Sequence, residues 1–170
     1  MTQQTNPILA RAAANGVSLE MQGAVAVVRL CRPAKRNALS DGLIEALRDV
    51  FQNLPAEAGA AVIHGEGDHF CAGLDLSELK ERDAGEGIHH SRSWHVALNA
   101  VEQGRVPVVA ALHGAVVGGG LELASASHIR VADESTFYAL PEGTRGIFVG
   151  GGGSVRVPKL IGAARMTDMM

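Results

Sequence analysis

Two glutamates, Glu122 and Glu142, offer the chemistry of this chain. The first follows the three glycines Gly118, Gly119 and Gly120 with only Leu121 between; the second stands in Leu140-Pro141-Glu142-Gly143. Adding or moving a proton beside a carbonyl calls for two things. Carboxyl groups must sit at the reacting carbons, and donors must hold the carbonyl oxygen as it gains charge. A glycine-led helix start meets the second need. Its first turn carries unpaired N–H groups and the positive end of the helix dipole, and no side chain blocks a ligand's approach. Residues 70–76, Phe-Cys-Ala-Gly-Leu-Asp-Leu, form a second small-residue loop leading into a helix. N–H groups from the two loops could converge on one oxygen.

Other uses of these residues compete. Glycines at a strand-to-helix junction also serve close packing. Glu122 could simply complement a helix dipole, and Glu142 could be an ordinary loop carboxylate. Phosphate binding is the weakest alternative, because neither G-x-G-x-x-G nor G-x-x-x-x-G-K-[ST] can be written through any glycine cluster. Metal chemistry finds no support either. His89, His90 and His95 lie on one predicted helix without H-E-x-x-H or an acidic partner at ligand spacing. There is no G-x-S-x-G elbow for a serine nucleophile.

The elements that must position the glutamates read as α/β. Strands are expected over 17–21 and 24–30, joined at Gln22-Gly23. Ser40 caps a helix whose stripe is Leu43, Ile44, Leu47, Val50, Phe51 and Leu54, and Pro55 ends it. A buried strand over 59–65 and a loop over 67–73 follow. Asp75-Leu76-Ser77-Glu78 resembles a capping box, which makes Asp75 a helix cap rather than a catalyst. Residues 80–87 read as a mobile surface segment. A helix over 88–103 turns Trp94, Leu98 and Val101 inward. Then come a strand over 106–112, a helix over 118–127, strands over 128–132 and 136–140, a glycine loop over 150–153, and a helix from Ala163. A strand-strand-helix rhythm is visible in the first sixty-odd residues.

The chain's 170 residues fit one domain, expected over 15–170, and 46% are hydrophobic, enough for a real core. A formal charge of −3 without basic runs argues against nucleic acid and anionic membrane surfaces as partners. Cys31 and Cys71 read as buried free thiols in a reducing compartment. The first fifteen residues lack the apolar run of a signal peptide or a membrane span. A cytoplasmic location and a poorly ordered 1–14 are expected.

Four segments, in order, resemble the crotonase (enoyl-CoA hydratase/isomerase) superfamily. Residues 32–39 match R-P-x-x-x-N-A-L, and 70–76 resemble F-x-A-G-x-D-L. Residues 113–123 resemble G-x-x-x-G-G-G-x-E-L. Pro141-Glu142 begins the P-E element, with Gly150 and its following glycines behind it. The resemblance extends over roughly 17–170. It implies a spiral of repeated β-β-α units, and an acyl-coenzyme A thioester as ligand. The thioester oxygen would lie between the backbone N–H groups of Leu74 and Gly119. Glu122 would activate the water that attacks the β-carbon, Glu142 would deliver the proton to the α-carbon, and the Gly150 N–H would help hold the water. Lys35, Arg36 and Ala72 would contact coenzyme A. No cofactor is implied beyond the coenzyme A of the substrate, and homo-oligomers (trimers or hexamers) are expected.

Hydration of a 2-enoyl-CoA is the leading expectation. An isomerase or another lyase of the family, and a truncated CoA-binding scaffold without turnover, remain open. Two departures stand out. Val149 occupies a place where members commonly have proline. The chain also stops at Met170, where members commonly continue into helices over the acyl site, so the usual C-terminal helices are expected to be lacking. Ile161, Met166, Met169 and Met170 are then expected to be uncovered. Nothing in the sequence specifies the acyl chain.

Overall fold

Alternating apolar residues from Val17 to Leu30 pair as an antiparallel hairpin in the computed structural model, which describes residues 6–170. The hairpin strands are β1 (Val17–Gln22) and β2 (Val25–Leu30), with Val17 opposite Leu30. From β2 onward the main sheet is parallel. β3 (Ala60–Gly65), β4 (Val108–Leu112) and β6 (Ile129–Ala132) follow in the order β1-β2-β3-β4-β6. A second, smaller layer contains β5 (Ala115–Val117) parallel to β7 (Phe137–Ala139). It is extended by the parallel bridges Cys71–Val116 and Leu39–Leu74.

The chain therefore repeats one circuit: a strand in the large sheet, a short one in the small layer, then a helix. The first circuit runs β2, Leu39, α2 (Asp41–Gln52); the second runs β3, the 71–74 bridges, α3 (Ala84–Glu102). The third runs β4, β5, α4 (Gly119–Ala126), and the fourth β6, β7, α5 (Gly153–Ile161). The early strand-strand-helix rhythm thus continues along the chain as the expected spiral. Helix α2 shows how local sequence sets each circuit. The Ser40 hydroxyl accepts from the Leu43 N–H at 3.2 Å, and Leu43, Ile44, Leu47, Val50 and Phe51 are all buried. That face packs with Ile63, Phe70 and Leu98 in one core.

Asn37 ties the first two circuits together. It is fully buried in the left-handed region at φ 55°, which Asn tolerates better than most residues. Its side chain accepts from the Arg32 N–H at 2.9 Å and donates to the carbonyls of Glu66 and His69 at 2.9 and 2.8 Å. Asp75 accepts from the Ser77 hydroxyl and N–H and from Arg32, which holds its carboxyl down at about 2. It is a cap, as expected.

Several expectations change. Residues 7–14, within the stretch expected to be poorly ordered, form α1 (Pro7–Ala14); residues 1–5 of that stretch lie outside the described residues. Asn6 caps α1 at Ile8, Pro7 presets its first turn, and Ala12 packs into the core. Residues 84–87 belong to α3, because the true capping box is Asp83 with Glu86. Glu78, expected to close a box with Asp75, instead accepts from the Asp41 N–H. Strand β5 and helix α5 were not evident from the sequence. The last helix, α6 (Ala163–Met169), folds back so that Met166 is buried and the Met169 carbonyl accepts from the Leu140 N–H. Of the four residues expected to be uncovered, only Met170 is exposed, while Ile161 and Met169 pack against the core. Cys71 is a buried free thiol pushed up to about 12 by desolvation, whereas Cys31 is only half-buried. Among the described residues no helix is long and apolar enough to cross a membrane.

Candidate active site

The start of α4 requires glycine for separate reasons. Gly118 caps the helix at φ 54°, ψ −123°, a conformation L side chains rarely adopt. A methyl group there would also lie 2.7 Å from Glu142 Oε1. A methyl on Gly119 would come within 2.9 Å of the Trp94 ring, and one on Gly120 would strike Cys71. Close packing thus holds for all three glycines, and Gly119 in addition lines a cavity.

The placing of two candidate donors follows from strand direction. Leu39 donates to Gly73 and accepts from Asp75, which turns the backbone of Leu74 away from that bridge. A methyl on Gly73 would lie 2.8 Å from the Val117 carbonyl oxygen and 3.4 Å from the Gly119 nitrogen, so the two glycine turns are in contact. The N–H groups of Leu74 and Gly119 donate to no protein acceptor among the described residues. Both residues line one cavity of about 290 Å³.

Glu122 and Glu142 line the same cavity, 3% and 6% exposed. Their surroundings differ. Glu122 Oε1 accepts from the backbone N–H groups of Gly151 and Gly153, both at 2.8 Å. Left-handed Gly152 between them (φ 98°) makes the three residues a backbone nest at the start of α5. Burial nevertheless dominates and pushes the Glu122 carboxyl up to about 7. The two N–H groups and Arg156 oppose that rise, and the charge of Glu142 adds to it. Glu142 heads the turn Gly143–Arg145; burial raises its proton affinity too, and its Oε2 has no partner among the described residues. One carboxyl is clamped and one is loose. Such a pair suits unequal acid and base roles.

The remaining predicted residues divide. Gly150 lines the cavity, and its carbonyl accepts from Ser91 at 3.2 Å. The clamp on Glu122 comes from the next glycines, Gly151 and Gly153. Val149 is 3% exposed, so a buried side chain fixes the loop where a proline ring was expected. Lys35, Arg36 and Ala72 do not line the cavity; the two cations are exposed, and the Ala72 N–H donates to the Arg36 carbonyl at 3.0 Å. Sequence reasoning missed Trp94 and His90 as cavity walls, the latter bonded to Asp41 at 2.8 Å. It also missed Arg156, a single arginine among apolar residues with no motif to mark it. Among the described residues no group of three or more His, Cys, Asp or Glu side chains could hold a metal ion.

Residues 20–170 match the family model for enoyl-CoA hydratase/isomerase. A Bacillus subtilis (strain 168) protein named "probable enoyl-CoA hydratase" is 36% identical over 160 residues, covering 92% of this chain and 61% of that protein. A crystal structure from Rhodopseudomonas palustris CGA009, provisionally named an enoyl-CoA hydratase, superposes with a TM-score of 0.89. It is 62% identical, covering 91% of this chain and 60% of that one. The enoyl-CoA hydratase of Bacillus anthracis superposes with a TM-score of 0.82 at 34% identity, covering 91% of this chain and 61% of that one. The chain thus spans about three-fifths of the length of these relatives.

Proposed function

The chain belongs to the enoyl-CoA hydratase/isomerase family, and from that premise we propose that its cavity adds water across the double bond of a 2-enoyl-CoA. The observation that carries this reading is the pairing of Glu122 and Glu142 on one cavity with the free N–H groups of Leu74 and Gly119. Those two N–H groups hold the thioester oxygen and stabilise the enolate-like intermediate; losing one such donor typically costs on the order of 3 kcal/mol. Glu122, held in its nest, takes a proton from water as the oxygen attacks the β-carbon. Glu142, with an unpaired oxygen, delivers a proton to the α-carbon. Gly150 lines the cavity, and holding the water is assigned to its N–H. Leu74, Trp94 and Phe148 give the acyl group an apolar wall. Coenzyme A enters as part of the substrate, with contacts assigned to Lys35, Arg36 and Ala72, and the chemistry calls for no further cofactor. We assign the protein to a homo-oligomer on the family resemblance, and keep the cytoplasm as its proposed location.

The test is loss of the conjugated-thioester absorbance of crotonyl-CoA. Wild type consumes it and Glu122→Gln does not. Product analysis separates hydration from a moved double bond. A shifted double bond with an active Glu122→Gln variant would make the protein an isomerase. Binding without turnover, in both this chain and a longer form, would make it a scaffold.

A further inference from the structure

Arg156 is the one buried cation among the described residues, 7% exposed. All three of its guanidinium nitrogens are used. Nε donates to Glu102 Oε2 at 2.8 Å and Nη2 to Asn99 Oδ1 at 2.7 Å, both on α3. Nη1 donates to the carbonyl of Gly151 at 3.1 Å. Gly151 is also the residue whose N–H holds Glu122. One residue of the nest is therefore pinned on both sides, by the carboxylate at its nitrogen and by the guanidinium at its oxygen. Without the second contact, Gly151, which has no side chain to pack, would keep only the hydrogen bond to Glu122 among those it makes itself.

We propose that Arg156, braced by Glu102 and Asn99, is a positioning residue that sets the direction and the proton affinity of Glu122 through the Gly151–Gly153 nest. It does not line the cavity. A guanidinium forks rigidly to several acceptors, which suits it to fix a loop against a helix as a lysine would not. Its charge acts in the same sense as its geometry: both favour the ionised Glu122, against burial and against Glu142. Lys80, Arg82 and His90 line the cavity, and His95 lies against Gly152. None of these four makes a hydrogen bond to Glu122 or to the nest.

The inference rests on the hydratase reading only for its consequence in rate, so the decisive measurement needs no turnover. Glutamate is labelled with carbon-13 at its side-chain carboxyl, and the Glu122 resonance is identified by its absence in Glu122→Gln. In Arg156→Met the Glu122 midpoint moves up by about one pH unit or more, because a close opposite charge is lost and the nest loosens. In Glu102→Gln it moves down, because Arg156 is left less neutralised. Glu102 has a side chain 42% exposed, so that variant carries the test even if Arg156→Met fails to fold. Opposite shifts from the two variants cannot come from general loosening. An unmoved midpoint in folded Glu102→Gln, or equal midpoints in wild type and Arg156→Met, overturns the proposal. Under the hydratase reading, Arg156→Met also lowers kcat with little change in KM. The shifts without turnover would sink that reading and leave the positioning role standing.

Discussion

Replacing Glu122 by glutamine separates the cost of burying this carboxylate from its use. The amide side chain keeps an oxygen for the Gly151 and Gly153 N–H groups but carries no charge into the cavity wall. In the wild type, burial lifts the group from 4.5 to about 7. Between those values the folded chain holds a proton that the unfolded chain has released. Stability contributed by Glu122 is therefore complete below 4.5, falls as pH rises, and is lost once pH passes about 7. At about 1.36 kcal/mol per pH unit the full loss is about 3 kcal/mol, most of it between about pH 5 and pH 8.5. The variant has no such group, and the other titrations are largely shared by both proteins. Urea unfolding at the two pH values measures the difference. The stability of Glu122→Gln relative to wild type should rise by about 2–3 kcal/mol on going to the alkaline buffer. The same variant should lose about a thousandfold in crotonyl-CoA hydration, the loss expected for a general base. A stability difference that stays constant within about 0.5 kcal/mol would refute the burial argument. Full activity alongside the predicted stability change would refute the catalytic assignment alone.

Because Glu122 must be ionised to act as a base, kcat/KM should rise with pH through about 7; a profile already flat from about pH 5 would contradict the assigned role. Glu142→Gln should abolish hydration while leaving thioester affinity within a few-fold, as read by turnover and by calorimetry with a substrate thioester. Gly118→Ala places a side chain at φ 54° and 2.7 Å from Glu142 Oε1. It should cost about 1–3 kcal/mol in backbone strain and displace Glu142. The readouts are thermal unfolding and activity, and an unaffected melting temperature would contradict the strain. Asn37→Ala strips partners from two carbonyls and one N–H at a fully buried corner. A loss of about 3 kcal/mol or more is expected in denaturant unfolding, and a loss below about 1 kcal/mol would show that the corner re-pairs.

Much of the fold is legible where local signals coincide. Ser40 followed by a stripe at helical spacing reads as α2, and the alternation across Gln22-Gly23 reads as a hairpin. The elements missed have weak or contrary local signals. Strand β5 is three residues long, and its partner β7 lies twenty-two positions on, Ala115 opposite Phe137. Helix α5 opens on glycines and contains Pro158, so propensity alone argues against it. Helix α1 is short, and its support comes from packing against α2 and from the Arg11–Asp49 pair.

By itself the sequence determined the candidate chemistry: two glutamates, the glycine turns beside them, and the four motif segments that carry the family resemblance. These follow from residue type and short spacing, because a glycine's freedom and a carboxyl's proton are properties of the residue. Only the tertiary structure decided that the two glutamates differ. Glu122 is clamped by N–H groups 29 and 31 positions away, while Glu142 keeps an unpaired oxygen. Proton affinity depends on the water excluded and the dipoles assembled around a group. Those come from elements distant in the chain, and no local pattern encodes them.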